Sequence, residues 1–338
     1  MNVSEQILQI LKNVGVTQIW GVTGDALNTF TDALRDDKEI RWIAVRHEEN
    51  GAFAAAAEAQ MTNNLAVCAG TVGPGTLHLI NGLYNAKKER VPVLAISGQV
   101  ALVNMGTNYF QEVNLTKIFD DVCAYQAVIR SAEEAPRVVL KAIQIALEQN
   151  AVVRVEIPVD IAVQEAKEEH YEHPVFRGNA TLVPSDEDID KIANAINKAK
   201  NITILVGAGC KECREEVLAL SEKLKAPIVH TLRASDIIHN DDKNVVGLTG
   251  LIGNPSGYHA VMKADLLLML GTDFPYSNFL PDEATVVQVD KRMENIGNRV
   301  KVDIGVQGDC LATLNKLDVK ILPRENSEFL DSLVENFN

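Results

Sequence analysis

The stretch LAVCAGTVGPGTLHLINGLYNA, Leu65–Ala86, reads as a strand, a turn and a helix in succession. Leu65–Ala69 is apolar without alternation, the pattern of a strand buried on both faces. Gly70-Thr71-Val72-Gly73-Pro74-Gly75 follows, and Thr76–Lys88 has helical composition. Glycines at such a turn let the backbone bend sharply and let a ligand approach it closely. An ordinary strand-to-helix turn uses the same residues, so both readings stay open here. No Gly-Lys-Ser/Thr follows, which excludes a P-loop.

The same alternation extends outward in both directions. Val3, Ile7, Ile10, Leu11 and Val14 recur at helical spacing, with Asn2 and Glu5 as a capping box and Gly15 as a stop. Strands are predicted at Ile19–Val22, Ile40–Val45, Val91–Ser97 and Val152–Ile157, with helices at Asn50–Met61 and Ser131–Gln149. From Val163 to Pro184 the pattern gives way to a polar, irregular segment, read as a linker. Ser185 then caps a helix carrying Ile189, Ile192, Ala193 and Ile196. A second series of strands is predicted at Ile202–Val206, Ile228–Leu232, Leu266–Leu270 and Val286–Val289. The expected class is therefore α/β, with two doubly wound parallel-sheet domains at 1–162 and 185–318, a linker at 163–184 and a helical tail at 319–338.

Composition narrows the function. The chain has 338 residues and a net charge of −14 with no basic cluster, which argues against a nucleic-acid partner. No apolar run approaches a membrane span, and Met1-Asn2-Val3-Ser4-Glu5 has neither a basic start nor an apolar signal core. A soluble cytoplasmic protein is expected. Five cysteines, an odd and scattered set, fit reduced thiols. Cys210 and Cys213 make a C-x-x-C, but no second pair or nearby histidine completes a metal site, so no metal ligand is assigned.

Arg46-His47-Glu48-Glu49 ends a strand and opens the Ala-rich helix NGAFAAAAEAQ. Carboxylates in a first helical turn suit the helix dipole, and alanines let helices pack closely, so the motif has a structural reading beside a catalytic one. Gly207-Ala208-Gly209 also follows a strand, but position 212 is Glu212 rather than the third glycine of a nicotinamide fingerprint. GLTGLIGNPSG (Gly247–Gly257), LGTDFPYSNF (Leu270–Phe279) and VVQVD (Val286–Asp290) place glycines, small polar groups and an acid at strand ends, where open α/β sheets bind nucleotides. Tight turns joining strands would also account for them.

In their order, these segments resemble the thiamine-diphosphate enzyme family, most closely the bacterial pyruvate oxidase branch. IWGVTGDALN (Ile19–Asn28), RHEENGAFAAAAEAQ, the Leu65–Ala86 stretch, VPVLAISG and YFQEVN (Tyr109–Asn114) carry it in the first half, and APIVHTLR, GLTGLIG, GTDFPY and QVD in the second. The resemblance implies that the first half is the pyrimidine-binding domain and the second a Rossmann-like central domain that holds FAD. Glu48 matches the glutamate that hydrogen-bonds N1′ of the aminopyrimidine. A carboxyl group there favours the imino tautomer, whose nitrogen can take the proton from C2 of the thiazolium. Phe110 and Gln111 match residues lining the thiazolium. Thr249, Gly250, Leu251 and Ile252 would contact the flavin nucleotide, as would Thr272, Asp273, Phe274, Pro275 and Tyr276, with Asp290 at the adenosine end. Glu49 points to another helix face and is given no role.

One departure is large. The family's third domain binds the diphosphate through Mg2+ with a Gly-Asp-Gly motif; this sequence has Gly308-Asp309-Cys310 near its end and no Gly-Asp-Gly. The expectation is part of an oxidase that converts pyruvate, or a related 2-oxo acid, to acetate and CO2, passing electrons to quinone or oxygen. The enzyme would be either truncated or split so that a second polypeptide supplies the missing domain, and the chain would form a homodimer or tetramer. The alternatives are part of an acetolactate-synthase-type enzyme and a non-catalytic FAD-binding or subunit-pairing protein.

Overall fold

The computed structural model describes every residue except 36, 168–173, 179, 336 and 338. The chain divides into two compact units, Met1–Gly178 and Asn179–Asn338. In the first, β1 (Gln18–Gly21), β2 (Arg41–Ala44), β3 (Ala66–Gly70), β4 (Val93–Gln99), β5 (Tyr125–Val128) and β6 (Val152–Pro158) form one parallel sheet in the order β2-β1-β3-β4-β6-β5. Every residue of β3, β4 and β6 is buried, as the predominance of apolar side chains in these central strands leads one to expect. Helices Val3–Asn13 and Ala135–Gln149 cover one face. Helices Glu48–Thr62 and Ile80–Glu89 cover the other, where Gly82 packs so closely on Ala52 that an added Cβ would sit 2.5 Å from its Cβ. The alanines at 52, 55, 56 and 59 thus serve close helix packing.

A charged network is sealed inside this unit. Arg154 on β6 pairs with Glu156 at 2.5 Å, Gln99 donates to Glu156 at 2.7 Å, and Arg154 donates to Gln126 at 2.9 Å.

In the second unit β7 (Ile202–Val206), β8 (Ile228–His230), β9 (Val245–Leu248), β10 (Leu266–Leu270), β11 (Thr285–Asp290) and β12 (Ile304–Gln307) form a parallel sheet in the order β12-β11-β10-β7-β8-β9. Counted from its own first strand, this is the 3-2-1-4-5-6 order of dinucleotide-binding folds. Both domains are α/β with parallel sheets between helices, as the sequence predicts.

Local differences have identifiable causes. The expected helix Thr76–Lys88 is two, Pro74–His78 and Ile80–Glu89, meeting at Leu79. The helix expected from Ser131 begins at Ala135, with Pro136 in its first turn. Strands β5, β9 and β12 lie at or next to sheet edges, and their short sequences carry no periodic signal. Residues 168–173 and 179 of the predicted linker lie outside the described residues. Of the remainder, Glu165 bridges to Asn2 and Val175 packs on the first core, whereas Leu182 accepts a hydrogen bond from Asp309 in the second unit. In the tail, helix Glu328–Val334 buries Leu330 and Leu333. No helix among the described residues is long and apolar enough to cross a membrane.

Candidate functional site

The first sheet changes direction between β1 and β3, and the carboxyl ends of strands at such a reversal form a crevice. The turns after these strands pack on each other, since a Cβ on Gly24 would come 2.5 Å from Thr71. The Gly70–Gly75 turn is held by buried Thr76, whose hydroxyl donates to the carbonyls of Thr71 at 2.8 Å and Gly70 at 3.1 Å. Gly73 adopts φ +63°, and its bare Cα allows the Gln111 carbonyl to rest where a Cβ would approach within 2.2 Å. The exposed loop bearing Phe110 and Gln111 is thereby seated on this turn; Phe110 is 78% exposed.

Glu48 opens helix Glu48–Thr62 at the end of β2, with His47 as N-cap accepting from the Glu49 N–H at 3.3 Å. The Glu48 side chain is buried, and its Oε2 lies 2.9 Å from Nδ1 of His78, the last residue of Pro74–His78. Its Oε1 faces Gly75, where a Cβ would stand 3.1 Å away. His47 stacks on His78 with centroids 4.3 Å apart. Ligand atoms of His47, Glu48 and His78 lie within 4.8 Å of one another, a spacing a cation could bridge, although the sequence offered no metal ligand there. Glu49 points away and accepts from Asn81 at 2.5 Å. Glu48 and Gln111 thus meet one turn, at Gly75 and Gly73 respectively, while Phe110, beside Gln111 in sequence, is exposed. Sequence reasoning missed His78, which is 30 residues from Glu48 and has no motif linking it to the acid.

The reversal in the second sheet falls between β7 and β10. Here Gly207 and Gly209 press on Gly271, whose carbonyl accepts from the Gly209 N–H at 3.0 Å. Gly250, at φ +108°, lets its loop lie against Phe274 and Tyr276. The predicted segments 249–252 and 272–276 therefore meet. Leu251 and Ile252 are 70% and 67% exposed, whereas the Phe274 ring is in the core with Tyr276 edge-on at 5.6 Å. Thr272 is buried and Pro275 is exposed. The buried atoms Thr249 Oγ1, Ser256 Oγ and Asp273 Oδ1 have no hydrogen-bond partner among the described residues, though Arg299 stands 3.6 Å from Asp273 Oδ1 as an ion pair. Asp290, at the end of β11, accepts from the Arg292 N–H at 2.8 Å and from Asn295 Nδ2 at 3.0 Å. Asp309 caps helix Cys310–Asp318 and pairs with Lys291 at 2.7 Å.

Residues 1–118 match the family model of the thiamine pyrophosphate enzyme N-terminal binding domain, and residues 189–317 that of the central domain. An uncharacterised 42.6 kDa protein from the isoamylase 3′ region of Pseudomonas amyloderamosa is 42% identical over 336 residues, 99% of this chain and 85% of that protein. The chain belongs to the thiamine pyrophosphate enzyme family. YdaP of Bacillus subtilis is 38% identical over 335 residues, and the pyruvate oxidase of Lactiplantibacillus plantarum 31% over 336. Both alignments take in 98% of this chain, which spans 58% of the first protein's length and 56% of the second's. Acetolactate synthases follow at 30%. In family terms, Glu48 and the Gly70–Gly75 turn lie in the N-terminal thiamine pyrophosphate-binding domain, and the Gly250–Tyr276 contact in the central domain.

Proposed function

We propose that this chain carries the pyrimidine-binding and flavin-binding parts of an oxidase that decarboxylates pyruvate or a closely related 2-oxo acid. The observation that carries the reading is Glu48: a buried carboxylate at a sheet reversal, anchored through one oxygen by His78, with the other beside a glycine. A carboxylate so placed can hold a hydrogen bond to a ring nitrogen and keep a proton available there. Gln111 rests on Gly73, and with Phe110 beside it would wall the space above the same turn.

The buried hydroxyls of Thr249 and Ser256, which find no hydrogen-bond partner among the described residues, support a bound polar group in the central domain, because buried polar atoms ordinarily find partners. Thr249–Ile252 and Thr272–Tyr276 would hold FAD along its length, with Asp290 at the adenosine end. When bound, thiamine diphosphate supplies an electron sink for decarboxylation and FAD takes up two electrons, destined for quinone or oxygen. The diphosphate end and its Mg2+ are assigned to no residue of this sequence. The chain's own residues bind and orient the pyrimidine, position the proton at Glu48 and hold the flavin nucleotide.

An FAD titration of the purified chain, followed by flavin absorbance and fluorescence, tests this. Saturable binding with a perturbed flavin spectrum is expected. No binding at high micromolar FAD would remove the oxidase reading.

A further inference from the structure

Two histidines meet the carboxylate of Glu48 from the ends of two different helices. His47 is the N-cap of helix Glu48–Thr62, and His78 is the last residue of helix Pro74–His78. Their rings stack with centroids 4.3 Å apart and an interplanar angle of 29°. Nδ1 of His78 stands 2.9 Å from Oε2 of Glu48, and one ligand atom from each of the three residues lies within 4.8 Å of the other two. The His47 and His78 side chains are each 45% exposed, whereas that of Glu48 is only 10% exposed. A dissolved ion can therefore reach the imidazoles directly, and the carboxylate they flank supplies negative charge.

The donor set decides which ions fit. Two neutral imidazoles and one carboxylate suit a divalent transition-metal ion such as Zn2+, Co2+ or Ni2+, whereas Mg2+ and Ca2+ prefer oxygen alone. Ligand bonds of ~2.1 Å put neighbouring ligand atoms of a six-coordinate ion about 3.0 Å apart, and the Glu48–His78 pair stands at 2.9 Å. An ion can thus replace the hydrogen between those two atoms, with the neutral His78 ring carrying its proton on Nε2. His47 gives up little, because the Glu49 N–H reaches its Nδ1 at 3.3 Å, the long end for a hydrogen bond. Three protein ligands leave the remaining positions to water, as in metal sites open to exchange.

We propose that His47, Glu48 and His78 bind a divalent transition-metal ion, and that this ion and the pyrimidine oppose each other at Glu48. The ion site does not depend on the pyrimidine reading of Glu48; the antagonism does. A carboxylate that ligates a cation has no proton to offer a ring nitrogen, so an ion on Oε2 weakens what Oε1 can hold. By linkage, the pyrimidine weakens the ion by the same factor. The cofactor-free chain is thereby made sensitive to transition metals at the residue that its cofactor needs.

The test is a CoCl2 titration of the purified chain, followed by visible absorbance, which reports the ligand field of the bound ion. One Co2+ per chain is expected, without the intense near-ultraviolet band of a cobalt–thiolate bond, which separates this site from the cysteines. His47→Gln and His78→Gln should each weaken binding at least ~10-fold. Both side chains are half-exposed, so both variants should fold, and circular dichroism checks this. Saturating thiamine, which has the pyrimidine but no diphosphate to chelate cobalt, should move the midpoint to several-fold higher Co2+. No saturable binding at millimolar Co2+, a thiolate band, or unchanged affinity in both folded histidine variants would overturn the ion site. An unchanged midpoint in thiamine would overturn the antagonism. Neither readout involves FAD binding or turnover, so failure of the ion site and failure of the oxidase reading show separately.

Discussion

Nδ1 of His78 sits 2.9 Å from Oε2 of Glu48, so the residue that ends one helix fixes the acid that begins another. If that acid positions a proton on the pyrimidine, Glu48→Gln keeps the shape and loses the chemistry. Turnover of the complete enzyme should fall at least ~100-fold, the size of a general acid–base contribution. The FAD titration should be unchanged. Retained turnover would take Glu48 out of the proposed role.

Gly73 is constrained twice, by φ +63° and by the Gln111 carbonyl 2.2 Å from where a Cβ would stand. Gly73→Ala should destabilise the first unit by roughly 2 kcal/mol or more, from backbone strain and from displacing the 109–112 loop. Thermal unfolding should show a midpoint lowered by several degrees, and a midpoint within error of wild type would contradict this packing.

Arg154 and Glu156 form a buried ion pair. Arg154→Met strands a buried carboxylate and should cost about 3–5 kcal/mol, whereas the double replacement with Glu156→Met should recover most of that loss. Urea unfolding of both variants measures it; equal instability of the single and double variants would show that the charges do not act as a pair.

Asp309 contributes through its cap and through Lys291. Burial pushes its carboxyl up, but hydrogen bonds from Lys291 and from the Ala312 and Leu311 N–H groups more than offset this and hold it below the usual value. A depressed folded-state pKa gives stability that is present above the unfolded pKa of about 3.9 and is lost as pH falls through the folded value. Asp309→Ala should therefore cost about 1 kcal/mol at pH 7, and the gap from wild type should close as pH falls below about 4. A gap independent of pH would point to packing instead.

The proposed subunit pairing predicts a particle of at least twice the chain mass by light scattering at micromolar concentration. A monomer would count against it.

The α/β class was legible because β3, β4, β7 and β10 are short, mostly apolar runs with little alternation, recurring between helical stretches, as strands covered on both faces do. The short strands β5, β9 and β12 were not, for physical reasons. Residues Tyr125–Val128 are only half buried, and Gly247 and Gly305 interrupt β9 and β12, so the sheet supplies the order that the local sequence lacks. Glu48 stood out through its neighbours in sequence. His78 did not, because it reaches Glu48 from a segment 30 residues away, and only the crossing of helices and strands brings it in.

The seat of Gln111 on Gly73 has a mechanical consequence. From Gly73 the chain runs through a single five-residue helix to His78, and His78 grips Glu48. The 109–112 loop, the glycine turn, the short helix and the acid are thus links of one unbroken series of contacts, so the carboxylate of Glu48 owes its placement to four segments rather than to its own helix alone.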